Sequence, residues 1–147
     1  MRVFLGIAAA LLVSAPVAAQ SVEVDIQKLG QRAEAFVQVR NQFDQAAMMA
    51  MMAPEYQEVS PVGEVDSRER VIGFYAPDKK SAAPPMTITE TVARPAGTIG
   101  VVTMRIAYTM PGKDGQMQTR ALRAGFVAQR IKGDWQFVSL QFTPIRG

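Results

Sequence analysis

Residues 86–143, MTITETVARPAGTIGVVTMRIAYTMPGKDGQMQTRALRAGFVAQRIKGDWQFVSLQFT, hold four strand-like runs, Met86–Arg94, Thr98–Met110, Gln116–Ile131 and Trp135–Thr143. They are rich in β-branched and aromatic residues and are cut by turn-forming clusters at Pro95-Ala96-Gly97, Pro111–Gly115 and Lys132-Gly133-Asp134. Connections this short join antiparallel neighbours, so the stretch reads as a four-stranded meander.

Upstream the pattern changes period. From Asp25 to Ala53 apolar residues recur three or four apart (Ile26, Leu29, Ala33, Phe36, Val37, Phe43) until Pro54 intervenes. A plausible break at Asn41–Asp44 divides this span into a helix over Asp25–Asn41 and a shorter one over Phe43–Ala53. Tyr56–Ser60 alternates like a short strand, Pro61–Glu64 is a turn, and either Asp66 or Ser67 can cap a helix running to Tyr75. Ala76–Pro85, with three prolines and two lysines, is an exposed loop and the expected mobile segment. Helices first and a meander afterwards is an α+β layout.

The N-terminus has the form of a secretory signal peptide: Arg2, an apolar run from Val3 to Val13, then Ser14, Pro16 and the small residues Val17-Ala18-Ala19. The run is shorter than the roughly 20 residues of a spanning helix. The expected organisation is therefore a signal peptide over 1–19 and one domain over 20–147, exported to the periplasm or the medium, with no stable membrane insertion after cleavage. An uncleaved anchor is the alternative.

Composition excludes several chemistries. The 147 residues include no Cys and no His, so no thiolate or imidazole metal site, no cysteine nucleophile and no histidine-based serine triad can form. No metal and no cofactor is expected. The formal charge of +3, one unit of it from Arg2, is spread without a dense basic run, and Lys79-Lys80 is only a pair. Nucleic acid is thus a poor partner. The methionines Met48, Met49, Met51 and Met52 could suggest a soft copper(I) site, but without His or Cys to complete it they read as core filler.

The order helix, helix preceded by Asp44, strand, Pro61-Val62-Gly63-Glu64 turn, Ser67-Arg68-Glu69 helix start, long hairpins and a closing Gly133-Asp134-Trp135-Gln136-Phe137-Val138 resembles the SnoaL-like branch of the nuclear-transport-factor-2-like superfamily. The resemblance covers nearly all of 20–147. It implies a cone-shaped α+β fold, with N-terminal helices packed in a strongly curved antiparallel sheet, an interior ligand pocket, and dimers formed through the outer sheet face. It is weak for activity, because the superfamily spans isomerases, cyclases, hydrolases, dehydratases and assembly modules. The absence of His removes the His-Asp dehydratase type, and no Asp-Arg-Asp hydrolase set is evident.

Simple hairpins would place even-numbered residues of the first three strands on one face, from Met86, Ile88, Glu90 and Val92 to Tyr108, Arg120 and Phe126. Trp135, Phe137, Ser139 and Gln141 would join them from the last strand. This face is the expected concave interior. Glu90 would then be its lone carboxylate, and apolar surroundings, which disfavour the charged form, would suit it to general acid or base work. Glu90 and Asp44 are the weak catalytic candidates, Asp44 being a helix cap on the bland reading. Tyr56, Tyr75, Tyr108, Arg120, Ser139 and Gln141 are the ligand-binding candidates. The odd-numbered face, with Thr87, Thr89, Thr91, Thr103, Arg105, Arg123 and Gln129 plus Val138, Leu140 and Phe142, suits a homodimer contact.

Three functions fit: a binder of a small, mostly apolar molecule; a cofactor-independent isomerase, hydrolase or cyclase using a pocket carboxylate; and a dimeric protein-interaction module with a filled cone.

Overall fold

The computed structural model describes residues 17–146. The leader's apolar run lies outside them. Helix α1 (Val17–Asn41) starts earlier than the apolar spacing indicates. Val22 and Val24 in its early turns are exposed, Ile26 is half-buried, and full burial starts at Leu29 and continues through Ala33, Phe36 and Val37. The expected break follows: Phe43 takes a positive φ of 56°, and the Asp44 side chain accepts from Ala47 N at 3.0 Å as the cap of α2 (Gln45–Met51). Helix α2 passes directly into strand β1 (Met52–Val59), so Pro54 sits inside the strand and the helix ends two residues before the expected limit. Strand β2 (Val65–Ser67) leads into α3 (Arg68–Phe74). Of the two possible caps Ser67 is used, accepting from Arg70 N at 3.3 Å, while Asp66 holds Arg70 Nε at 2.9 Å.

Strands β3 (Met86–Ala96), β4 (Ile99–Pro111), β5 (Met117–Ile131) and β6 (Asp134–Ile145) make the meander. The β5–β6 turn has Lys132 at φ 52° and Gly133 at φ 92°, the paired positive values of a type I′ hairpin. All six strands form one curved, unclosed sheet in the order β2-β1-β6-β5-β4-β3. It is not wholly antiparallel: β1 runs parallel to β6, which joins the N-terminal strands to the edge of the meander.

Two bulges correct the expected faces. Thr89 pairs with Arg105 but Val92 with Thr103, so β3 carries one extra residue, and Glu90 sits there at φ 56°. Beyond it Thr91 and Ala93 turn toward Gly30 of α1, and Val92 turns outward. In β6, Ser139 pairs with Val127 and Phe137 with Ala128, which makes Val138 the extra residue. Leu140 and Phe142 consequently face the core from a strand whose Ser139 and Gln141 were expected to do so. Core packing joins Phe36 to Phe126 and Phe137, with ring centroids 6.2 and 5.0 Å away. Met48 and Met52 are buried in the same cluster. Among the described residues no helix is long and apolar enough to cross a membrane.

Candidate functional site

The last turn of α1 and the even-numbered face of β1 bring three polar side chains into the core. Arg40 follows Phe36 and Val37 by four and three residues, so the helical stripe that buries them carries its guanidinium inward too. Tyr56 and Glu58 lie two apart on β1 and share a face. Arg40 grips Glu58 with both terminal nitrogens, Nη1 on Oε2 and Nη2 on Oε1, the latter at 2.8 Å. The Tyr56 hydroxyl donates to Glu58 Oε2 at 2.7 Å. Only 11% of the Arg40 side chain and 7% of the Glu58 side chain are exposed. The rings of Phe36, Tyr75 and Phe142 surround the guanidinium at 5.6, 5.0 and 5.5 Å, a cation–π setting that suits its delocalised charge.

Electrostatics follow from this packing. Burial is the strongest influence on Arg40 and opposes its charge, yet the hydrogen bond to Glu58 and the nearby Tyr75 and Glu58 outweigh it, and the guanidinium holds its proton more tightly than an ordinary arginine. Burial pushes the Tyr56 phenol far up, against the pull of Arg40 and with the help of Glu58. Tyr108 is raised as well, again chiefly by burial.

Beside this network opens a cavity of about 410 Å³. Val37, Ile106, Leu122 and Phe142 form much of its wall, Arg40 and Glu58 its polar patch, and Tyr75 and Tyr108 also line it. Among the described residues neither tyrosine hydroxyl has a hydrogen-bond partner, whereas both Glu58 oxygens are occupied. The site can therefore enclose an apolar body and donate hydrogen bonds to it. It offers no free carboxylate as a base.

The other candidates lie elsewhere. Glu90, expected inside, is on the outer face because of the β3 bulge, and binds Arg123 at 2.5 Å with 55% of its side chain exposed. Asp44 is exposed and engaged as a cap. Tyr56 is 2% exposed and holds Glu58 instead of lining the cavity. Arg120 does pair with Tyr108 across β4 and β5, but it lies near the strand end and is exposed. Ser139 and Gln141 are turned outward by the β6 bulge. Arg40 and Glu58 were missed by the sequence reading, although the stripe Ala33-Phe36-Val37-Arg40 and the Tyr56-Glu58 alternation mark them. Among the described residues no group of three or more carboxylates gathers as a metal site.

A family model described as a SnoaL-like domain matches residues 30–145. A search of curated proteins found no match. Solved structures with this fold include the association domain of C. elegans CaMKII, at 13% identity over 84% of this chain and 98% of that chain, with a TM-score of 0.74. A putative dehydratase from the NTF2-like family of Streptomyces avermitilis matches at 19% over 86% and 99%, TM-score 0.70. A ketosteroid isomerase-like protein from Erwinia carotovora atroseptica matches at 16% over 84% and 98%, TM-score 0.64. At these identities the likeness is one of fold.

Proposed function

The chain belongs to the SnoaL-like domain family, and on that premise we propose that it binds a small, mostly apolar molecule in the cavity beside Arg40 and Glu58. One observation carries this reading: an apolar wall is combined with two tyrosine hydroxyls that lack a protein partner, while the charged groups below are already paired. Such a site selects a compact apolar body with a hydrogen-bond acceptor such as a carbonyl. Catalysis by acid and base is the weaker alternative, because Glu58 is committed to Arg40 and Tyr56, and Glu90 and Asp44 do not reach the cavity. Native mass spectrometry under gentle and denaturing conditions tests the binding reading. A retained small molecule in the wild type, absent from Leu122→Trp, supports it; retention by both proteins contradicts it.

Export and self-association complete the proposal. The Val3–Val13 run and Val17-Ala18-Ala19 support cleavage after Ala19 and release to the periplasm or medium. N-terminal sequencing of exported protein that begins at Met1 would contradict it. The outer sheet face exposes Val92, Ile99, Val101 and Val127, apolar islands among threonines and arginines that suit a homodimer. A monomer mass by light scattering at micromolar concentration overturns the dimer.

A further inference from the structure

A second cavity, of about 370 Å³, lies on a different flank of α1, between that helix and the β5–β6 hairpin. Lys28 and Arg32 line it from successive turns of the helix, and Arg130, Asp134 and Trp135 from the hairpin. Three donors on this wall lack a hydrogen bond, and of these Arg130 Nη2 has an ion pair with Asp25 while the other two have no partner. Arg32 Nε and Trp135 Nε1 are shut off from solvent without a hydrogen-bond partner, in a tryptophan that is only 4% exposed. A buried N–H without an acceptor is costly, because it has given up its water and gained nothing in return. Charge points the same way. Arg130 lies 2.9 Å from Asp25 and stacks over the Trp135 ring at 4.5 Å, but among the described residues neither Lys28 nor Arg32 has an ion-pair partner. Asp134 is the one acidic side chain on the wall. The cavity thus has room for one further negative charge, and Asp134 works against two.

We propose that this cavity binds the carboxylate of a small organic acid, with Arg32 and the Trp135 indole N–H as its donors and Lys28 as a neighbouring charge. An arginine edge beside a neutral donor matches the two oxygens of a carboxylate. Ala35 and Met51, also on the wall, would cover an apolar tail. The site is separate from the cavity beside Arg40 and does not depend on what that one binds.

Trp135 is the chain's only tryptophan, so tryptophan fluorescence reads a ring that lines this site. The protein is titrated with hexanoate, hexanol, inorganic phosphate and chloride at constant ionic strength. Hexanoate is expected to give a saturable change, with phosphate about tenfold weaker and no saturation by hexanol or chloride. Arg32→Gln should weaken hexanoate about tenfold or more, whereas Asp134→Asn should tighten it a few-fold by removing the opposing charge. Lys28→Gln should weaken it about two- to fivefold, while Lys113→Gln, the same charge change in a distant exposed turn, should leave it unchanged. Equal responses to hexanoate and hexanol, preference for phosphate, or absence of saturation would overturn the proposal. Should Arg32→Gln fail to fold, equal half-saturation in Lys28→Gln, Asp134→Asn and the wild type would overturn it as well.

Discussion

Arg40–Glu58 and Arg123–Glu90 join the same two residue types across long stretches of chain, on opposite faces of one sheet. Inside, the pair is bidentate, joined by Tyr56 and ringed by three aromatic side chains. Outside, a single contact links side chains that are 39% and 55% exposed. In water an exposed pair gains little over its hydrated partners, and mobile ions screen it. In the interior each charge depends chiefly on the other, since burial strips its water and its partner supplies most of what replaces it. The difference also decides which carboxylate could matter to a ligand: Glu58 lines a cavity, and Glu90 faces solvent.

The largest expected effect comes from breaking the inner pair on one side. Glu58→Ala leaves a buried guanidinium unpaired and should cost about 3–5 kcal/mol in urea unfolding. The double change Arg40→Leu with Glu58→Leu removes both charges and should cost less than Glu58→Ala alone; a larger cost would show that the pair itself stabilises the fold. Tyr56→Phe removes one hydrogen bond to a charged group and should cost about 1.5–3 kcal/mol.

The same tyrosine should give the inner network an alkaline signature. Its folded pKa lies above the ordinary 10.0, so the folded state keeps a proton that the unfolded chain releases at high pH. The stabilisation is complete below pH 10 and declines above it, by about 1.4 kcal/mol per pH unit. Denaturation midpoints measured from pH 8 to 11.5 should fall beyond pH 10 in the wild type and more shallowly in Tyr56→Phe. Smallest of all, Glu90→Gln should shift stability by about 0–1 kcal/mol, and less in high salt. A loss as large as that of Glu58→Ala would erase the distinction between the two faces.

Much of the architecture is written in local residue choices. Pro95-Ala96-Gly97 and Lys132-Gly133 mark the hairpins, Asp44 and Ser67 the helix starts, and Leu29 to Val37 the stripe that α1 buries. The bulges carry no such mark. Glu90 occupies a left-handed backbone position that glycine or asparagine would have announced, and Val138 is an ordinary strand residue. Each insertion inverts every later side chain, which is why Ser139 and Gln141 exchanged places with Leu140 and Phe142. The parallel pairing of β1 with β6 joins residues about eighty positions apart, and local pattern says nothing about it. Tyr75 and Tyr108 were legible as cavity residues because one ends a helix and the other lies on a regular part of β4 before any register shift. Arg40 and Glu58 sit at legible spacings but drew no reading, since a charged residue on an apolar stripe ordinarily marks its edge.

The claim that the inner cavity is a binding site is tested most directly by chemical-shift mapping of isotope-labelled protein titrated with acetophenone, an apolar ring bearing one carbonyl acceptor. Shifts centred on the methyl groups of Val37, Ile106 and Leu122, saturable in the wild type and abolished by Leu122→Trp, are the expected result. Shifts that are absent, or that gather on Val92, Val101 and Val127 of the outer face, would contradict it.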